Sequence, residues 1–235
     1  MKLLVTTTAD NNIKDMVALT HPILKHFAKK WGADFLVLDQ DADCDVPMGK
    51  IHYRIMQLYY LLDEYDRIVQ LDSDIVINKD CPNLFDCVHY DKIGTIFEDV
   101  GSRFRDRLAR IEQVQMEWGS VNWIRGYPNT GVFVVSKPHK EIFRKFNGRY
   151  WTHLGFDCVH LGYQIHRLKM KISQLGYIFN HMSMFSEPWN DCQSRFNSYI
   201  IHYAGQGAFP DKGDRTRVEL IRDDIKELWR DEFSK

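Results

Sequence analysis

Short apolar runs alternate with stretches in which apolar residues recur at helical spacing, and this order dominates the first third of the chain. The apolar runs predict strands at 3–7, 34–38 and 66–71. The helical spacing predicts helices over 13–31 and 51–62. Pro22 removes a backbone donor, so the first helix is expected either as two pieces or as one kinked helix. Strands and helices in this alternation predict a doubly wound α/β unit with right-handed crossovers.

The same pattern continues with shorter strands. Further strands are predicted at 75–77, 92–97, 132–135, 170–172 and 198–201. Helices are predicted over 104–118, from Ile142 onward and over 218–229, with a turn or short helix at 82–85. No internal repeat, low-complexity tract or linker interrupts the order. The fold class expected is therefore a single α/β domain spanning residues 1–235.

The composition excludes several classes of function but does not identify one. A net charge of −1 over 235 residues provides no field that would recruit nucleic acid or an anionic membrane. The first residues become polar too early for a signal peptide, and no apolar run has membrane-spanning length. Five cysteines without Cys-x-x-Cys spacing indicate free thiols, so a cytoplasmic protein is expected.

The strongest chemical pattern is a pair of carboxylates one residue apart. Asp72, Ser73 and Asp74 directly follow an apolar run of the kind that forms a buried strand. In open α/β sheets the carboxyl ends of strands border the ligand crevice, where paired carboxylates can hold Mg²⁺ or Mn²⁺. Because aspartate is also common in turns, a pair of turn or helix caps is the alternative.

Other candidate positions have two interpretations each. Thr8 to Asn12 form a polar turn after the first strand, typical either of a nucleotide-facing edge or of a helix cap. Lys50 and Arg54 lie one helical turn apart, where they would bind an anion such as phosphate or remain solvated. His153, Asp157 and His160 have a spacing that would allow one metal-binding face, although separate histidines are favoured.

Two more segments carry possible ligand contacts. Four arginines on one helix, which could face an acidic acceptor, are interpreted as a solvated face: Arg103, Arg105, Arg107 and Arg110. Asn129, Thr130 and Gly131 precede a β-branched strand, which indicates either close backbone approach to a ligand or a plain turn. The common glycine-rich phosphate loops and the serine nucleophile elbow are absent, so a metal is the natural partner for any diphosphate.

Taken together, these segments resemble GT-A fold glycosyltransferases, most of all family 8, which includes glycogenins and lipopolysaccharide hexosyltransferases. The segment 64–76 is very similar to the strand that carries the metal motif of that family, and 8–12 resembles its opening nucleotide loop. The segments 129–132 and 202–205 resemble its Asn-Ser-Gly-Val and His-x-x-Gly motifs. The resemblance implies one GT-A domain with a mixed sheet flanked by helices. Residues 1–77 would bind nucleotide and metal, and 78–235 would bind sugar and acceptor.

The resemblance also implies a role for each matched residue. Asp72, Asp74 and His202 would bind Mn²⁺, with Mg²⁺ as the alternative, since Mn²⁺ tolerates an imidazole better. Nucleotide and diphosphate contacts would come from a larger set: Thr8, Asp10, Lys50, Arg54, Asp72, Ser73, Gly205 and Lys212. Asn129 and Asp157, the candidate catalytic residues, would lie beside the transferred sugar and the acceptor. The implied reaction moves a hexose from a UDP-sugar to a hydroxyl of a glycan or other acceptor, with retention of the anomeric configuration.

The chain departs from the family at two positions. Cys158 replaces the family's glutamine near the anomeric carbon, and the Lys-Pro-Trp expected after the His-x-x-Gly motif is missing. Two other functions compete with the glycosyltransferase. One is a haloacid-dehalogenase-type phosphatase with Asp72 as nucleophile, although its motif normally follows the first strand. The other is a carbohydrate-binding protein without catalysis, which would leave the paired carboxylates unexplained.

Overall fold

The computed structural model describes residues 1–39 and 50–230. Its strands are β1 (Leu3–Thr8), β2 (Asp34–Leu38), β3 (Arg67–Leu71), β4 (Ile75–Ile77), β5 (Lys92–Thr95), β6 (Val132–Ser136), β7 (Lys171–Gln174) and β8 (Ile200–His202). Its α-helices are α1 (Lys14–Lys30), α2 (Leu58–Glu64), α3 (Leu84–Cys87), α4 (Phe104–Trp118), α5 (Phe156–Arg167) and α6 (Arg217–Trp229). Short 3₁₀ helices fill several connections, the longest being Lys50–Gln57.

The central sheet has six strands in the order β2-β1-β3-β6-β5-β7. Strands β1, β2 and β3 run parallel, as the alternation of strands and helices predicts, whereas β6 runs antiparallel to both β3 and β5. A separate antiparallel ribbon pairs β4 with β8. The sheet is therefore mixed, which agrees with the fold implied by the resemblance.

Both faces of the sheet are covered, which explains why its strands are almost continuously apolar. Leu4 and Ile68 are fully buried on one face beside α2 and α5, and their neighbours Val5 and Val69 are buried on the other beside α1 and α6. Successive side chains of a strand point to opposite faces, so only a strand buried on both sides needs this composition. No helix in the part of the chain that the structure describes is both long and apolar enough to cross a bilayer.

The helix predictions hold in part. Pro22 lies inside the single helix α1. The helix predicted over 51–62 is a 3₁₀ segment, Lys50–Gln57, that continues as α2.

The helix predicted from Ile142 is wrong. Ile142 lies near the end of a 3₁₀ helix, Lys137–Phe143, and the chain then turns at Asn147 and Gly148, which both have positive φ. An Asn-Gly pair favours such a turn over a continuing helix, because both residues tolerate the left-handed conformation.

Candidate functional site

A cleft of about 500 Å³ opens at the carboxyl ends of β1 and β3. Its walls combine strand ends from the sheet with the first turn of α5, the 3₁₀ segment Lys50–Gln57 and one side of α4. Several residues singled out in the sequence line it: Thr8, Asp72, Ser73, Asp74, Asn129, Asp157, His202 and Gly205. The crevice position is the one expected of an open α/β sheet.

Two strand pairings bring Asp72, Asp74 and His202 together. Leu71 pairs with Val132 in the central sheet, so Asp72 follows at the sheet edge, where its amide donates to the Gly131 carbonyl at 2.8 Å. Asp74 directly precedes β4, and Ile75 pairs with His202 of β8. The His202 Nε2 therefore lies 3.5 Å from Asp72 Oδ2 and 3.2 Å from Asp74 Oδ1.

These three residues form the one cluster of potential metal ligands found in the described part of the chain. Their ligand atoms all lie within 4.8 Å of one another. Two carboxylates and one imidazole suit a hard or borderline divalent cation.

A hydrogen-bonded chain behind His202 fixes the orientation of its ring. The Nδ1 of His202 lies 2.8 Å from Asn180 Oδ1, so Nδ1 donates and Nε2 remains available to the cluster. Asn180 in turn donates to Asn129 Oδ1 at 2.7 Å, and Asn129 donates to the buried carboxylate of Glu98. Metal-bound histidines usually carry such partners, which hold one tautomer in place.

The electrostatics of the cluster favour a cation. Burial, with help from nearby Asp74, raises the pKa of Asp72 to about 6, although His202 opposes the rise. Burial alone would lower the pKa of His202, but the carboxylates of Asp74 and Asp72 outweigh it and raise that pKa. For Asp74 the effect of burial is overcome by His202 and Arg217, so its pKa is lowered. Any proton that these groups hold would be displaced by a bound cation.

Gly131 is required by close packing at the cluster. A Cβ at this position would lie 2.4 Å from His202 Cε1 and 2.8 Å from Asp72 Oδ2. The sequence indicated close backbone approach at Gly131, and the approach in the structure is to the cluster's own side chains.

Arg217 is a cleft residue that the sequence analysis missed. Its Nη1 donates to Asp74 Oδ2 at 2.9 Å and to the Gly205 carbonyl at 2.7 Å. A signal was available, because Thr216 and Glu219 form a capping box that marks the start of α6 and places Arg217 in its first turn. By contrast, Lys212 is not among the lining residues of the cleft.

The opposite wall is formed by the first turn of α5. Asp157 is buried and accepts a hydrogen bond from Thr130 Oγ1 at 2.6 Å, and His52 Nδ1 lies 3.8 Å from its other oxygen. Burial raises the pKa of Asp157, an effect that His52 and Thr130 reduce. The Sγ of Cys158 lies 3.2 Å from Thr130 Oγ1, and burial raises the pKa of this thiol well above its ordinary value. A neutral buried thiol is a poor nucleophile.

The arginine-rich helix is only partly solvated. Arg105 is exposed as predicted, but Arg107 and Arg110 line the cleft, so the solvated interpretation is wrong for these two. Arg107 Nε donates to Glu98 Oε2 at 2.6 Å, and Arg103 also pairs with that carboxylate. Burial would raise the pKa of Glu98, but the two arginines hold it below its usual range. This buried pairing could not be read from the spacing of the arginines alone.

The remaining predicted contacts lie outside the cleft lining. Asp10 caps the 3₁₀ turn after β1, where its Oδ1 accepts from the Asn12 amide at 2.8 Å. Lys50 is exposed, whereas Arg54 is buried and donates to the carbonyls of Ala9 and Leu38. A 3₁₀ helix has three residues per turn, so residues four apart do not share a face, and the expected Lys50–Arg54 pair is not formed.

The second possible metal face is absent from the described structure. His160 is buried, with Nε2 2.9 Å from the Arg144 carbonyl, and burial lowers its pKa to about 4. His153 pairs instead with Glu117 at 3.3 Å. The histidines are therefore separate, as the sequence favoured. Cys81, Cys87, Cys158 and Cys192 are free thiols, as predicted, and Cys44 lies outside the described residues.

No protein-family model and no curated protein matches the chain in sequence. Solved structures do match it in fold. A glycosyltransferase involved in the glycosylation of the major capsid of PBCV-1 is 15% identical with a TM-score of 0.60, covering 94% of this chain and 99% of that one. The galactosyltransferase LgtC, solved with donor and acceptor sugar analogues, is 16% identical with a TM-score of 0.59, covering 96% of each chain. The bifunctional glycosyltransferase WbbM is 15% identical with a TM-score of 0.61, covering 87% of this chain and 46% of that one.

The class that these likenesses define is the GT-A fold. The chain has a single α/β domain whose mixed six-stranded sheet, flanked by helices, matches the fold of these glycosyltransferases.

Proposed function

We propose that the protein is a divalent-metal-dependent glycosyltransferase that moves a hexose from a UDP-sugar to a hydroxyl of a glycan or other acceptor. The observation that carries the proposal is the cluster of Asp72, Asp74 and His202 at the carboxyl edge of a GT-A sheet. Asp74 is buried and Asp72 is partly exposed to the cleft, so two negative groups are held close together in the ligand crevice, where a bound cation would relieve their repulsion.

The residues of the cluster fit a resident metal. The Nε2 of His202 faces both carboxylates, while its Nδ1 is engaged by Asn180. This donor set suits Mn²⁺, or Mg²⁺ with more of its ligands from water and phosphate. When bound, the ion would stabilise the negative charge that develops on the departing diphosphate.

The donor would lie across the strand ends. Thr8 and Ser73 line the cleft beside the cluster and would face the ribose and the diphosphate. Asp10, Lys50, Arg54 and Lys212 lie off the cleft lining, so nucleotide contacts from them stay predictions that a bound donor would have to test. Arg217 is better placed than Lys212 to contact the diphosphate, because its guanidinium already pairs with Asp74.

Retention of configuration is proposed for the transfer. Asp157 is buried and held by Thr130, which suits a residue that orients the hydroxyls of substrates. Asn129 would support the sugar from the other side, since it links Glu98 to the Asn180–His202 chain. In a retaining transfer the acceptor approaches from the side that the UDP leaves, so the diphosphate can accept the proton and no protein base is required.

No observation favours the competing functions. The phosphatase would place its nucleophile after the first strand of the fold, and β1 ends in Thr8 whereas Asp72 follows β3. A binding protein without catalysis would not need the metal-type cluster. A cytoplasmic location stays a prediction from the sequence.

The test is a panel of UDP- and GDP-sugars offered with and without Mn²⁺. Thermal stabilisation should appear with a UDP-sugar only when the metal is present, and slow release of UDP should accompany it. Proton NMR of the fresh product then gives the anomer. An α-linked product agrees with the proposal, whereas a β-anomer would make Asp157 the base of an inverting enzyme. Stabilisation by no nucleotide sugar at all would overturn the proposed function.

A further inference from the structure

Glu98 is the buried carboxylate at the far end of the hydrogen-bonded chain that starts at His202. It lies in the connection between β5 and α4. Two arginines hold it as an anion: Arg107 of α4 donates to its Oε2 at 2.6 Å, and Arg103, just before α4, donates to the same oxygen at 3.3 Å. An ionised carboxylate accepts hydrogen bonds and donates none.

The charge on Glu98 determines the orientation of the Asn129 amide. Because the carboxylate can only accept, the hydrogen bond between these two side chains must be donated by Nδ2 of Asn129. The backbone amide of Gly131 requires the same orientation, since it can only donate and it lies 2.9 Å from Asn129 Oδ1. Two independent neighbours therefore agree that Nδ2 faces Glu98 and that Oδ1 faces away from it.

The orientation of Asn129 in turn determines where the proton of His202 lies. Asn180 is 2.7 Å from Asn129 Oδ1, so it must donate to that oxygen through its Nδ2. Asn180 Oδ1 is thereby left facing His202 Nδ1 at 2.8 Å, and a carbonyl oxygen can only accept. The proton of the neutral imidazole must then lie on Nδ1, which leaves the lone pair of Nε2 facing Asp72 and Asp74.

Burial makes this single direction strict. Asn180 is fully buried, and Glu98, Asn129 and His202 are buried as well. Water therefore has little access to a member of the chain that loses its partner, and a buried polar group without a partner is costly. Reversing one amide would place two donors or two acceptors against each other, so the whole chain keeps one direction.

From this chain we infer that Glu98 is a positioning residue of the metal site. Its negative charge, three hydrogen bonds from the ring, keeps the proton of His202 on Nδ1 and so keeps Nε2 free to bind the cation. The inference rests on the proposed metal-dependent function, because it concerns how one ligand of the ion is prepared. The competing role for Glu98 is that it only packs α4 against the rest of the fold.

The direct test is nitrogen-15 NMR of the histidine rings in the full chain, with metal removed by a chelator and at a pH above the raised pKa of His202. A ring nitrogen that carries a proton differs clearly in chemical shift from one that does not, so the spectrum gives the tautomer. The signals of His202 are identified by their absence in His202→Gln. The proton should lie on Nδ1 in the unmodified chain. A proton on Nε2 would overturn the inference without any variant of Glu98.

Glu98→Gln removes the charge and keeps the shape of the side chain. The glutamine cannot accept from both Arg107 and Asn129 as the two carboxylate oxygens do, because one of its two terminal atoms is a donor. The proton of His202 should then lie partly on Nε2. Mn²⁺ affinity, measured by calorimetry, should fall about tenfold, the lower end of the roughly 10–100-fold typical of residues behind a metal ligand. The matched control is Glu112→Gln, an exposed glutamate of α4 that should change neither quantity.

A second variant moves the carboxylate to the other end of the chain. When Asn180→Asp is combined with Glu98→Gln, the new carboxylate accepts directly from Nδ1 of His202, so the Nδ1 proton no longer depends on Glu98. The double variant should therefore restore the proton to Nδ1 and recover part of the Mn²⁺ affinity that Glu98→Gln loses. A loss of packing at Glu98 would not be repaired by a charge placed beside His202.

Each result has a defined meaning. An unchanged tautomer in folded Glu98→Gln, Mn²⁺ affinity equal to that of Glu112→Gln, or no recovery in the double variant would overturn the inference. Thermal unfolding of every variant shows whether it is folded. Absence of Mn²⁺ binding in the unmodified chain would defeat the proposed function, whereas normal Mn²⁺ binding that does not depend on Glu98 would defeat only the positioning role.

Discussion

The two walls of the cleft are built in different ways. One wall carries the possible metal ligands Asp72, Asp74 and His202, and we call it the metal wall. It is made of strand ends, and backbone hydrogen bonds fix it: the Asp72 amide donates to the Gly131 carbonyl, and the Tyr203 amide donates to the Asp74 carbonyl at 2.9 Å. The opposite wall is made of a helix start and a 3₁₀ segment, with Leu154 64% exposed and His52 about half exposed. The first wall is therefore set by strand register before any ligand arrives, and the second is set mainly by side-chain contacts.

From this difference we expect the metal wall to bind the sugar donor and the opposite wall to bind the acceptor. A pre-formed ligand set suits the metal and diphosphate, whose geometry is the same for every UDP-sugar. An open wall with an exposed leucine and a stacked His52–Phe156 pair suits acceptors that vary in shape. Changes to the metal wall should therefore have larger effects on donor binding than changes to the opposite wall.

The largest effect is expected from Asp74→Asn. The substitution removes a charged ligand and also the partner of Arg217, so Mn²⁺-dependent UDP binding should fall at least about 100-fold, beyond the 10–100-fold typical of outer-shell residues. Calorimetric titration of UDP in the presence of Mn²⁺ measures it. Asp80→Asn, an exposed aspartate outside the cleft lining, is the matched control. Unchanged UDP affinity in folded Asp74→Asn would contradict the account.

The next largest effect is expected from pH. The pKa of Asp72 is raised to about 6 and that of His202 is also raised, so both groups bind protons as pH falls. Metal binding must displace these protons. UDP binding with Mn²⁺ should therefore be strongest above the raised pKa of His202 and should weaken about tenfold per pH unit as the pH falls below it. The dependence should become steeper below about pH 6, where Asp72 also takes up a proton. Titrations in buffers of different ionisation enthalpy count the protons released. If the affinity for UDP does not change with pH, Asp72 and His202 are not ligands of the metal.

A smaller effect is expected from Arg217→Ala. Loss of one charge-assisted hydrogen bond to the diphosphate should weaken UDP at least about tenfold, the lower end of the roughly 1.5–3 kcal/mol that such bonds contribute. Arg217→Lys should recover part of the affinity, because the charge is kept and the planar fork is lost. Lys212→Ala is the comparison variant and should change UDP affinity less than about twofold. A larger loss of UDP affinity in Lys212→Ala than in Arg217→Ala would indicate that Lys212 is the phosphate contact.

The smallest effect is expected on the opposite wall from Cys158→Ser. Because the pKa of the Cys158 thiol is raised, we expect the thiol to stay neutral and not to act as a nucleophile, and the serine hydroxyl can still contact Thr130. Initial rates of sugar transfer should stay within about twofold of the unmodified enzyme. Near-complete inactivity of a folded variant, or a covalent sugar adduct by mass spectrometry, would instead indicate covalent catalysis.

The sequence predicted the metal wall better than the opposite one. Asp72 and Asp74 are neighbours in sequence that end an apolar strand, so a local pattern shows both the strand and its chemistry. His202 required the resemblance, because its pairing with Ile75 across β4 and β8 joins distant segments. Lys50 and Arg54 do not share a face of their segment, because helical spacing in the sequence does not distinguish α from 3₁₀ geometry.

Long-range polar contacts set the rest of the site. The chain from His202 through Asn180 and Asn129 to Glu98 joins four separate segments, and no pattern in the sequence marked Asn180 or Glu98. Arg107 was misread for a related reason: its partner Glu98 is buried and lies in the connection between β5 and α4, which no pattern in the sequence marked. Hydrogen bonds and ion pairs between such segments can be identified only once the fold and the pairing of the strands are known.

The most direct test of the metal cluster is pulsed electron paramagnetic resonance of Mn²⁺ bound to the chain in the presence of UDP. The account predicts one bound ion with hyperfine coupling both to an imidazole nitrogen and to phosphorus. The nitrogen coupling should disappear in His202→Ala while some phosphorus coupling remains. A bound ion that shows phosphorus but no nitrogen coupling in the unmodified chain would contradict His202 as a ligand. An ion without phosphorus coupling would contradict the diphosphate site itself.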